Sequence, residues 1–90
     1  MKHDRNKVLI NFKKAKSLLE KIIEMTEKDE YCIDIMQQNL AVIGLLRSAH
    51  QILMEDHLKT CFSSACESKN QTKKKKMVEE ILKVTKIYNR

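Results

Sequence analysis

Ninety residues with one glycine, no proline, two Tyr, two Phe and no Trp exclude collagen-like, proline-rich and mucin-like chains and describe one small domain. The 18 Lys and Arg against 12 Asp and Glu give a net charge of +6, yet an apolar share of 42% is near the globular average and argues against wholesale disorder. So short a chain is poorly suited to enclosing an active-site cleft unaided, which argues against an enzyme and for an oligomer or a bound ion as a further source of stability.

At the N-terminus only Val8, Leu9 and Ile10 form an apolar run, too short for a signal-peptide core. No stretch approaches the ~20 apolar residues that span a bilayer, so a soluble, cytoplasmic protein is expected. In a reducing compartment Cys32, Cys61 and Cys66 are not read as structural disulfides; metal binding, redox chemistry and plain burial are the alternatives.

The first helix is expected over about residues 5–28, with Asp4 as N-cap and an inward stripe of Val8, Phe12, Ala15, Leu19 and Ile22. Lys7, Lys14, Lys21 and Lys28 repeat every seventh residue on one flank, and Glu20, Glu24 and Glu27 line the other. Asp29 is expected to cap a second helix over about residues 30–66. At about 1.5 Å per residue such a helix is roughly 50 Å long, more than a compact 90-residue subunit needs. Its middle is apolar from Leu40 through Val42, Ile43, Leu45 and Leu46 to Ile52 and Leu53, wider than one stripe, which predicts burial against the first helix on one side and another subunit on the other. A third helix, over about residues 73–88, carries Val78, Ile81, Leu82, Thr85 and Tyr88 as its apolar face. The run Lys73–Lys76 opens it, either as a solvated loop run or as an anion-facing patch. With no strand-like alternation and no repeat, the whole of residues 1–90 reads as a single all-α domain.

His57 and Cys61, four apart on the second helix, leave the same face one turn apart and can ligate one metal ion. Cys32 is the third candidate, but it lies 25 residues before His57, roughly 37 Å along a straight helix, so one chain cannot close the site. Two antiparallel copies can. Setting Cys32 opposite the midpoint of His57 and Cys61 puts the crossing between Leu45 and Leu46, beside Gly44, the only glycine in the chain. A glycine inside a helix costs about 0.5–1 kcal/mol relative to alanine and suits a close backbone approach. A twofold dimer would then hold two identical sites, each with Cys32 from one subunit and His57 and Cys61 from the other.

The segment Tyr31-Cys32-x-Asp34-Ile35-x-x-Gln38-x-x-Ala41-Val42, followed by His57-x-x-x-Cys61-Phe62, resembles the CsoR/RcnR family of small bacterial metal-sensing repressors, most closely its copper-sensing branch. The resemblance spans roughly Leu9 to Val84. It implies a three-helix subunit in an antiparallel four-helix-bundle dimer, usually paired into a tetramer, that binds operator DNA without a helix-turn-helix and releases it on binding its inducer. It sets Cys32, His57 and Cys61 at the Cu(I) ligand positions and Tyr31 at a supporting tyrosine. Glu80, or Glu79 beside it, stands at the glutamate that couples the site to DNA binding. Two thiolates and an imidazole suit three-coordinate Cu(I), whereas structural zinc takes four ligands. The nickel and cobalt sensors carry a histidine where Cys61 stands and recruit one near the N-terminus, a part His3 could play. Cys66, five residues after Cys61, is turned ~140° away on a helix and reads as a spare thiol.

The sequence departs from the family where DNA is contacted. Asn11 stands at an arginine position, Lys16-Ser17-Leu18 at an Arg-Gly-Gln-like turn, and Ser48 at a further arginine position with Arg47 beside it. Lys7, Lys13, Lys14, Lys16 and Arg47 are the expected phosphate contacts. The expectation is a copper-responsive repressor. The alternatives are a sensor of persulfide, aldehyde or another metal through Cys32, and a cytosolic Cu(I) buffer without operator binding.

Overall fold

The computed structural model describes residues 5–90, the Phe62 side chain excepted; His3 and the expected N-cap Asp4 lie outside the described residues. The fold is all-α: α1 (Asn6–Glu27), α2 (Cys32–His57), a π-helical turn (Leu58–Phe62), α3 (Ser63–Glu67) and α4 (Gln71–Tyr88), with no strand among the described residues. The chain divides into two compact units, one ending at Met54 and one running Glu55–Arg90.

In the first unit α1 starts after Arg5, whose side chain makes no capping hydrogen bond. The inward stripe of α1 is Val8, Asn11, Ala15, Leu18, Ile22 and Met25, all buried or half-buried. Phe12 and Leu19, expected inside, are instead 41% and 48% exposed. Both patterns share Val8, Ala15 and Ile22 and differ only in whether the intervening turn is filled at the third or the fourth position, which are neighbours on a helix face. Hydropathy favours Phe12 over Asn11 and is neutral between Leu18 and Leu19; packing selects Asn11 and Leu18. A second, solvent-facing stripe of Leu9, Phe12, Leu19 and Ile23 therefore runs along α1.

Helix α2 shows the same division. Ile35, Gln38, Val42, Leu45 and Ala49 are buried or half-buried, whereas Ile33, Met36, Leu40, Ile43 and Leu46 lie open, Leu40 to 65%. The wide apolar surface expected of this helix is thus present, with one side packed within the chain and the other facing solvent.

The α1–α2 connection corrects one expectation. Asp29 does not cap α2; it takes a left-handed conformation, φ 54°, and ends α1. The Glu30 amide donates to the Met25 carbonyl at 3.0 Å and the Asp29 amide to that of Thr26 at 3.1 Å, satisfying carbonyls that the helix end leaves open. Helix α2 begins instead on the Tyr31 carbonyl, which accepts from the Asp34 and Ile35 amides at 3.0 and 3.2 Å. Near the end of α1 the Lys28 ammonium donates to Glu24 at 2.7 Å. That hydrogen bond and the attached charge hold the Glu24 carboxyl below its ordinary pKa and raise that of Lys28. Both side chains are solvent-exposed, where such pairs contribute little.

In the second unit α3 packs against the π-turn and against α4, with Ala65 fully buried. Asn70 caps α4, its side-chain oxygen accepting from the Lys73 amide at 3.1 Å. The half-buried residues of α4 are Lys74, Met77 and Ile81. Of the face expected from sequence only Ile81 turns inward; Val78, Leu82 and Tyr88 are exposed. The inward row at 74, 77 and 81 keeps helical spacing and accepts a lysine because its aliphatic stem can cover apolar surface while the ammonium reaches water. Among the described residues no helix is long and apolar enough to cross a membrane.

Candidate functional site

Cys32 is the first residue of α2 and is exposed. Tyr31 precedes it, 67% exposed, and its carbonyl carries the first turn of the helix. His57 is the last residue of α2 and is half-buried, and Cys61 lies half-buried in the π-turn that follows. None of the three cysteines is joined in a disulfide.

The π-turn is the feature that sequence periodicity missed. In an α-helix His57 and Cys61 would differ by ~40° around the axis. Widening the turn to i→i+5 hydrogen bonding lowers the rotation per residue, so the angle between the two positions differs from that of a regular α-helix. Two hydroxyls pin the turn. Thr60 Oγ1 donates to the Asp56 carbonyl at 2.7 Å and lies 3.6 Å from Cys61 Sγ, and Ser63 Oγ donates to the Leu58 carbonyl at 2.8 Å. Serine and threonine that bond back onto the preceding turn distort a regular helix; hydroxyls at 60 and 63 were the only trace of this in the sequence.

Cys32 belongs to the unit that ends at Met54, and His57 and Cys61 to the other. Among the described residues no three His, Cys, Asp or Glu side chains are gathered into a metal-binding cluster within the chain. Cys66 is exposed on α3, and Glu79 and Glu80 are both exposed on α4.

The basic candidates are all at the surface: Lys7, Lys13, Lys14 and Lys16 on α1 and Arg47 on α2. Lys13, Lys14 and Ser17 border a shallow depression floored by Leu18 and Leu45. Asn11 sits half-buried on the inward stripe of α1, so this position is turned away from solvent, whereas Ser48 is exposed beside Arg47. The lysine run opens α4 with no acidic residue in its first turn; Lys73, Lys75 and Lys76 are exposed and Lys74 is half-buried.

Known proteins resemble this chain in sequence. The chain is 41% identical over 63 residues to the copper-sensing transcriptional repressor CsoR of Mycobacterium ulcerans (strain Agy99), covering 69% of this chain and 54% of that protein. It is 40% identical over 57 residues to the protein of the same name in Mycobacterium tuberculosis (strain ATCC 25618 / H37Rv), covering 63% of this chain and 48% of the relative. With the copper-sensing repressor CsoR of Bacillus subtilis (strain 168) the identity is 29% over 65 residues, 72% of this chain and 64% of the relative. The chain therefore spans about half the length of the mycobacterial relatives it matches. The description of a metal-sensitive transcriptional repressor fits residues 4–87, nearly the whole chain. With a thiol opening α2, a histidine and a second thiol at its far end, and a lysine-rich surface on α1, this chain belongs to the family of metal-sensitive transcriptional repressors, not to a family of enzymes.

Proposed function

We propose that this chain is a Cu(I)-responsive transcriptional repressor: its metal-free oligomer binds operator DNA in the cytoplasm and releases it when Cu(I) binds between subunits. The observation that carries the proposal is the placement of soft donors at the two ends of α2, Cys32 at its first residue and His57 with Cys61 at its last turn and beyond. The donor set fits the ion. Two thiols outside any disulfide and one imidazole are a soft, low-coordinate set that Cu(I) accepts and that leaves zinc one ligand short. Relatives at about 40% identity carry the name of copper sensors.

The oligomer of this proposal is an antiparallel four-helix-bundle dimer, itself paired into a tetramer. Its support is the unpacked apolar surface on both long helices, Leu9, Phe12, Leu19 and Ile23 on α1 and Ile33, Met36, Leu40, Ile43 and Leu46 on α2. A contiguous apolar surface of this kind on a soluble protein marks an interaction site. Crossing two copies of α2 beside Gly44 sets Cys32 of one subunit against His57 and Cys61 of the other. Cys32 of one subunit and His57 and Cys61 of the other would hold Cu(I), which would supply a soft centre bridging the interface. Tyr31 stands next to the first ligand, and Glu80 on α4 relays occupancy to the DNA surface of Lys7, Lys13, Lys14, Lys16 and Arg47. By linkage, a metal that weakens DNA binding must bind the DNA-free state more tightly by the same factor.

The test is a gel shift on the DNA upstream of the protein's own coding region, with and without Cu(I), paired with Cu(I) titration of the wild type and of Cys32→Ala and Cys61→Ala. Retarded DNA released by one Cu(I) per subunit, with tight binding lost in both variants, is expected. Tight Cu(I) binding with no shift on DNA would identify a buffer, and release by persulfide but not by Cu(I) would identify a sulfur sensor; either overturns the proposal.

A further inference from the structure

The π-turn places a hydroxyl group between a backbone carbonyl and a thiol that the proposed function makes a metal ligand. Thr60 Oγ1 is 2.7 Å from the Asp56 carbonyl oxygen and 3.6 Å from Cys61 Sγ, and the whole group is partly buried. A hydroxyl has one proton to give. It can donate to the carbonyl or to the sulfur, but not fully to both, and the shorter contact assigns it to the carbonyl in this structure.

We infer that Thr60 is a positioning residue for Cys61, its hydroxyl turning from the Asp56 carbonyl to the Cys61 sulfur when that sulfur becomes a metal ligand. The inference rests on the Cu(I) reading of Cys61. A thiol can satisfy a neighbouring oxygen by donating its own S–H. A metal-bound sulfur has given that proton to solvent and can only accept, and it is then a stronger acceptor than the carbonyl because it carries charge. Rotation about the Cβ–Oγ bond is the only movement needed. The bond fixes the direction of the sulfur, as groups around a metal centre fix its ligands, and loss of such a group typically lowers metal affinity by about 10–100-fold. The exchange also withdraws this side-chain hydrogen bond from the Asp56 carbonyl, one residue before His57. Ser63, whose hydroxyl bonds to the Leu58 carbonyl at 2.8 Å, pins the same turn without reaching the sulfur and serves as the internal control.

The experiment compares Thr60→Val, which keeps the shape and removes the donor, with Thr60→Ser, which restores the donor, and with Ser63→Ala. Each is measured by circular dichroism, by Cu(I) competition against a chromophoric chelator, and by the ultraviolet sulfur-to-copper charge-transfer band. Thr60→Val is expected to bind Cu(I) about tenfold more weakly with a shifted band, Thr60→Ser to return to within about threefold of wild type with the original band, and Ser63→Ala to keep the wild-type band. Should the valine variant lose helicity, Thr60→Ala against Thr60→Ser makes the same comparison. Wild-type affinity and band in Thr60→Val, or a serine variant as impaired as the valine one, would overturn the inference. If Cys61→Ala retains tight Cu(I) binding, the ligand assignment fails instead, and the two failures are distinguishable.

Discussion

Gly44→Ala separates the properties of the subunit from those of the assembly. A methyl group built on Gly44 meets nothing within 4 Å inside the chain, so the substitution carries no steric cost in the subunit. Alanine in place of glycine within a helix stabilises it by about 0.5–1 kcal/mol, or ~2–8 °C in Tm for a domain of this size. If two α2 helices cross beside Gly44, however, each new methyl projects into the space occupied by the partner's backbone. Overpacking of that kind costs about 1–3 kcal/mol, which raises the dimer dissociation constant ~5- to ~150-fold. The two effects have opposite signs and appear in different measurements. Sedimentation equilibrium over a concentration series should show a weaker dimer for Gly44→Ala, while circular dichroism at low concentration shows a subunit at least as helical as wild type. A Gly44→Ala dimer as tight as the wild type, with a raised Tm, would refute the crossing and with it the intersubunit placement of Cys32 against His57 and Cys61.

Replacing Lys13, Lys14 and Lys16 together by Ala should weaken DNA binding and flatten its salt dependence by up to about three counterions, with Cu(I) affinity unchanged; a slope equal to wild type in fluorescence anisotropy would move the surface elsewhere, the run Lys73–Lys76 being the next place to look. Glu80→Ala should leave Cu(I) bound but reduce copper-driven release of DNA, where a working switch is expected to couple by roughly 1–3 kcal/mol; equal coupling in paired apo and loaded titrations would shift the relay to Glu79. Asp29→Gly should raise stability by about 0.5–1 kcal/mol, since Asp29 holds φ at 54° and glycine adopts that conformation without strain. Urea unfolding checks this, and a lower midpoint would show that the Asp29 side chain contributes more than its backbone costs.

The sequence by itself determined the secondary structure class and the position along the chain of the thiols and imidazole proposed as donors. Helical spacing of apolar residues and the lack of strand-like alternation point to helices throughout, and a separation of four residues sets His57 and Cys61 about one helical turn apart in the chain. Its two-sided apolar pattern on α2 likewise foretold a face left open by the subunit. Tertiary packing decided which of two adjacent stripes of α1 turns inward: Val8, Ala15 and Ile22 belong to both, and only a neighbouring helix can choose Asn11 over the more apolar Phe12 and Leu18 over the equally apolar Leu19. The exit from α1 was hidden for a related reason. Aspartate is common both as an N-cap and in the left-handed conformation, so Asp29 could serve either helix until the chain direction at the turn was set. The π-turn at Leu58–Phe62 was least legible of all. One residue more per turn leaves hydropathy almost unchanged, and it is held by two side-chain hydroxyls reaching carbonyls four and five residues back, contacts that exist only once the helix has formed.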